Sequence, residues 1–164
     1  MNESEREANS KLAEKLFSEQ DIGMAAIAGF FASIIAVFVH TVVVSRWPFA
    51  FGFATAGMGI IIGLAMQFAG RGIDVRFSVL AASFTIVACL ATSLVAVSHH
   101  YQSSGNSALQ VLSGHSVSWT AQRVFQQFSF VYCFVAVFAA VFLAKRPLSR
   151  TQRLAIGLRN MRHN

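Results

Sequence analysis

The sequence predicts an all-α, polytopic membrane protein, with four transmembrane helices in a bundle and an amphipathic helical tail at each end. Two observations predict it. Four apolar runs, at 22–44, 47–69, 77–97 and 125–144, each approach the 17–25 residues that a helix needs to cross the hydrocarbon core. The basic residues then gather in the connections that four crossings would place on one side. Lipid offers no partners to backbone N–H and C=O groups, so a crossing segment is a helix or a strand of a closed barrel. These runs are too long and too continuously apolar for barrel strands, which alternate over roughly ten residues.

Composition agrees. Of 164 residues, 55% are hydrophobic and 12% charged, against about 25% charged in a typical soluble domain. Four spans consume roughly 85 residues, which leaves no room for a separate soluble enzyme domain. The formal charge is +6. Because the positive charge flanks the spans, it reads as a topology signal rather than as a nucleic-acid surface.

In chain order, residues 1–21 form a cytoplasmic N-terminal segment. It carries six acids, and the apolar run after it comes too late and runs too long for a signal-peptide core. Between Asn9 and Gln20, Leu12, Ala13, Leu16 and Phe17 share one helical face, and Lys11, Glu14 and Lys15 point away. That pattern suits an interfacial or partner-docking helix, or a solvated extension of the first span. The first span, 22–44, leads into a tight turn, Ser45-Arg46-Trp47-Pro48. Pro48 suits the first turn of the second span.

The second span, 47–69, is followed by the short turn Gly70-Arg71-Gly72-Ile73-Asp74-Val75-Arg76. Its glycines are expected to take positive φ, and Asp74 to cap the third span, 77–97. The outer loop, 98–124, is rich in Ser, Gly, Gln and His. Ala108–Leu112 within it suits a short surface helix, and Trp119 suits the membrane interface. After the fourth span, residues 145–164 form a basic tail in which Ser149 is placed to cap a helix bearing Leu154, Leu158 and Met161.

Orientation follows from Lys and Arg. Arg6, Lys11 and Lys15, then Arg71 and Arg76, then Lys145, Arg146, Arg150, Arg153, Arg159 and Arg162 fall on one side. Arg46 and Arg123 fall on the other. Eleven against two places both termini in the cytoplasm, in a bacterial inner membrane. Lys145, Arg146, Arg150 and Arg153 are then expected to meet anionic lipid headgroups.

Three patterns within the spans are candidates for function. Small residues recur at helical spacing: Gly52, Ala56, Gly59 and Gly63 in the second span, Ser78, Ala82, Thr85, Cys89, Thr92 and Ala96 in the third, and Ala28, Ala32 and Ala36 in the first. Such faces let helix backbones approach closely, either within one chain or between chains. Four of the five histidines, His40, His99, His100 and His115, gather near the outer face. Imidazole ligates metals and haem iron, so His40 with His99 or His100 would suit a haem or a metal ion. No acidic residue lies on that side to orient a ligand, and no cofactor is predicted. His40, deep in a span, is expected inside the bundle, within reach of the third span's outer end. Cys89 and Cys133 both fall inside spans and read as packing residues.

The spans hold no interior Asp, Glu, Lys or Arg, and both prolines, Pro48 and Pro147, lie at span ends. Coupled transporters usually carry such charges and broken helices. Gln67 is the one large amide in the first three spans and is expected to bond across helices. No nucleophile with a paired base appears. The expected function is therefore non-enzymatic: a small integral membrane protein acting by self-association or as a subunit of a larger membrane complex. A channel formed by an oligomer, with Thr85, Thr92 and Ser93 at the pore, is one alternative. A haem- or metal-binding electron-transfer subunit is the other.

Overall fold

The computed structural model describes residues 3–102, 122–124, 129–150 and 152. Every regular element among them is helical. Helix α1 is Glu3–Ser18, α2 is Ile22–Arg46, α3 is Phe51–Gly70, α4 is Val75–Gln102 and α5 is Phe130–Leu143. A single 3₁₀ turn, Pro48–Ala50, leads into α3, with proline at its first position as expected. Three stretches are long and apolar enough to cross a membrane: Ile22–Arg46, Pro48–Gly70 and Val75–Ser98. Helix α5 is equally apolar and shorter within the described residues.

The chain reverses from α2 to α3, from α3 to α4 and from α4 to α5. Helix α2 packs on α3, α3 on α5, α5 on α4 and α4 on α2. The α2–α3 pair is antiparallel about the turn at Trp47 and Pro48. Ala25 faces Gly70, Gly29 meets the sulfur of Met66, and His40 meets Thr55. Helix α5 runs parallel to α3: Tyr132 lies against Gly52, Ala136 against Gly59, Ala140 against Gly63, and Lys145 is bonded to Gln67.

The core is built from small residues, as expected where no hydrophobic force draws helices together and close packing must do so. Ala25, Ala32 and Ala36 of α2, Ala81, Ala88 and Cys89 of α4, and Cys133, Ala136 and Ala140 of α5 are buried around Met58, Ile62 and Met66 of α3. Large apolar side chains, among them Phe38, Phe53, Phe68, Phe134 and Phe138, point outward. This inverts the usual arrangement of a water-soluble protein and is what a lipid-facing surface requires.

Several local expectations are corrected. The first span's buried face is Ala25, Gly29, Ala32, Ser33, Ala36 and His40. Ala28 is only half-buried. The N-terminal segment does not extend the first span: the helix is interrupted between Ser18 and Ile22, and the Asp21 carboxylate accepts from the Met24 N–H at 2.9 Å to start α2 afresh. At the turn after α3, neither glycine takes positive φ. Arg71 does so instead, at φ 47°.

The glycines serve close approach. A Cβ on Gly70 would stand 2.5 Å from that of Ala25, and one on Gly72 would collide with the Phe77 ring. Asp74 precedes α4, but it is its carbonyl that accepts from Phe77 N–H, not its side chain that caps. Helix α4 continues to Gln102, past the loop boundary expected at 98. The surface helix at 108–112, Trp119, and Leu154, Leu158 and Met161 lie outside the described residues.

Candidate functional site

Three places concentrate polar or close-approach chemistry, one along the middle of the helices and one at each of their two ends. The first is a seam between α3 and α5. Gly59 stands where an added Cβ would collide with the Ala136 carbonyl, and at Gly63 a Cβ would stand 2.8 Å from the Ala140 carbonyl oxygen. The small face of α3 is therefore closed by α5 of the same chain. Gly52 continues the seam against the Tyr132 ring, and Ala56 is half-buried beside it.

On α4, Ser78, Thr85, Cys89 and Thr92 are buried, Ala82 is half-buried and Ala96 is exposed. The Ser78 hydroxyl crosses to α5, donating to the Val141 carbonyl at 3.3 Å. The Cys89 and Cys133 thiols are free and buried. The other buried hydroxyls turn back onto their own helix. Ser33 donates to Gly29 at 2.7 Å, Thr85 to Ala81 at 2.7 Å, and Thr92 and Ser93 to Cys89 at 2.9 and 3.0 Å. That is how a hydroxyl is satisfied without water.

His40 lies at the opposite end of the helices from the Gly70 turn and is only 5% exposed. Its Nε2 is 3.2 Å from Thr55 Oγ1, and that hydroxyl donates its one proton to the Phe51 carbonyl at 2.8 Å. A threonine hydroxyl carries a single hydrogen, so Nε2 carries the proton of the imidazole pair and donates to Thr55. Phe51 packs edge-on against the His40 ring, with centroids 5.4 Å apart, and Tyr132 packs edge-on against Phe51. His40 is thus inside, as expected, but its partner is on α3 rather than α4.

Thr55 was missed by sequence pattern, although the turn gave a signal. His40 is seven residues before Trp47 and Thr55 is seven after Pro48, so an antiparallel hairpin sets them at one depth. His99 and His100 lie in the last turn of α4 with side chains outside the description, and His115 is outside the described residues. Among the described residues no cluster of three or more His, Cys, Asp or Glu could hold a metal ion.

The end carrying the Gly70 turn holds the charges. Glu19 Oε2 is 3.3 Å from Arg146 Nη1 and 4.0 Å from Arg71 Nη1. The backbone joins the same segments: Asp21 N–H donates to Gly70, Arg146 N–H donates to Gly72, and Gln67 Nε2 donates to the Lys145 carbonyl at 3.0 Å. The N-terminal segment, the 70–74 turn and the start of the C-terminal tail therefore meet at one end. Ser149 and Gln152 exchange reciprocal bonds at 2.9 and 3.3 Å, the pattern of a capping box. Arg150 is exposed there, and Arg153 is outside the described residues.

Comparison with protein-family models, with curated proteins and with solved structures gives no match.

Proposed function

We propose that the chain is a four-span helical bundle of a bacterial inner membrane, with both termini cytoplasmic, that works by assembly with copies of itself or with other membrane subunits. The register between α3 and α5 supports the fourth crossing. Tyr132 to Lys145 runs alongside Gly52 to Gln67, so α5 covers about the same 20 Å of depth as that part of α3. The meeting of Glu19, Arg71 and Arg146 supports the shared side. Three segments that the positive-inside rule puts together are in contact.

The observation that carries the assembly reading is the closed seam. At Gly59 and Ala136 main chain meets main chain, so the interior of one copy is filled, and what remains for function is the outside. Only 28% to 33% of the most apolar 18 residues of each long stretch is buried within the chain. The rest is available to lipid or to neighbouring helices.

The interior also bears on the two alternatives. Thr85, Thr92 and Ser93 are buried and bonded to their own helix, whereas residues lining a pore between copies would be exposed on each. His40 already spends Nε2 on Thr55. The deciding experiment is the mass of the detergent-purified protein together with the identity of whatever co-purifies. A defined multimer or a stoichiometric partner is expected. A lone monomer with no partner, together with solute flux in liposomes or a haem absorption band, would replace the reading.

A further inference from the structure

The charged end of the helices holds more positive charge than the structure spends. One carboxylate, Glu19, stands between two guanidinium groups, and a single oxygen of it faces Nη1 of both. A guanidinium carries five N–H donors in a planar fork, and most of those on Arg71 and Arg146 have no partner among the described residues. Their side chains are 61% and 35% exposed, so these donors are open to the surroundings.

Arg71 is also held at a cost. It ends α3 in the left-handed region, the place where glycine is usual because a Cβ is disfavoured there. An arginine kept in such a backbone is a reason to look for a task for its side chain. The backbone bonds of Asp21 to Gly70 and of Arg146 to Gly72 fix both arginines beside the end of an apolar helix.

Resting on the membrane-spanning reading above, we propose that Arg71 and Arg146 grip the phosphate of an anionic phospholipid, and that the Glu19 carboxylate is an internal stand-in which the headgroup displaces. The chemistry fits. Two guanidinium forks converging on one oxyanion position suit phosphate oxygens better than a single carboxylate. The site lies one residue past the end of a membrane-length helix, where headgroups are the abundant anion.

The test adds phosphatidylglycerol, phosphatidylcholine or inorganic phosphate to the detergent-purified full chain and counts bound molecules by native mass spectrometry. The wild type is expected to keep phosphatidylglycerol and not phosphatidylcholine. Arg71→Gly and Arg146→Gln should each weaken that binding by about tenfold or more, while Arg46→Gln, at the opposite end of α2, changes it little. Arg71→Gly relieves its backbone, so a loss of lipid with an undiminished melting temperature is a loss of the site and not of the fold. Glu19→Gln should tighten binding, because it removes the competitor.

Unchanged binding in both arginine variants, an equal loss in Arg46→Gln, equal retention of phosphatidylcholine, displacement of the lipid by millimolar phosphate, or weaker binding in Glu19→Gln would each overturn the proposal. The same spectra give the mass of the assembly. Lipid indifference in an intact multimer therefore counts against this site alone.

Discussion

Gly59 of α3 packs its bare Cα face against the main chain of Ala136 of α5, so closely that even a methyl group would collide with the Ala136 carbonyl. Two positions away, Gly57 has open space where its Cβ would be. One helix thus holds a glycine that packing demands and a glycine that packing ignores.

Gly59→Leu should therefore separate α3 from α5 and cost about 1–3 kcal/mol or more, the usual penalty for overpacking. Gly57→Ala should stay within about 0.5 kcal/mol of the wild type. Thermal melting of the two variants in detergent checks this. Equal effects would mean that the seam does not hold the chain together.

The hydrogen bond from His40 to Thr55 is open to a double-mutant cycle with His40→Ala and Thr55→Val. The expected coupling is about 0.6 kcal/mol and at most about 1.7 kcal/mol, the range for bonds between membrane helices. Each single variant should lower the melting temperature without altering metal content or the visible spectrum. Loss of a bound chromophore in His40→Ala would make the histidine a ligand instead.

The Ser149–Gln152 pair predicts a local effect. Ser149→Ala removes the acceptor for the Gln152 N–H and should destabilise this turn by about 1 kcal/mol. Amide hydrogen exchange should quicken at Gln152 by about fivefold, with the amides of α3 unchanged.

Much of this structure was legible because bilayer thickness dictates span length, so the apolar runs gave α2, α3 and α4 to within a few residues. Capping chemistry is equally local, and the Ser149 hydroxyl accepts from the Gln152 N–H as a cap does. Which face of a helix is buried was harder to read. In α2, alanine, glycine and serine recur on several faces, and a membrane helix is apolar all round, so Ala28 looked as eligible as Ala25 or Gly29. Pairings between helices were harder still. His40 was recognised as interior, but its partner depended on the register of a hairpin. At the α3–α4 turn the glycines were read as conformational when they are spatial: Phe77 and Ala25 occupy the room their side chains would need. The backbone reversal fell to Arg71, for which the sequence offered no sign.

Arg71→Gly gives that reversal its own test. Removing the Cβ from a left-handed position should raise the stability of the lipid-free protein in neutral detergent by about 1 kcal/mol. A fall would mean that the ion pair with Glu19, at 4.0 Å, outweighs the backbone strain.

The four-crossing arrangement with both termini on the cytoplasmic side is tested most directly by topology reporters fused at Ser104 and after Asn164. The account predicts an external signal at Ser104 and a cytoplasmic one after Asn164. A cytoplasmic signal at Ser104, or an external one after Asn164, would contradict it.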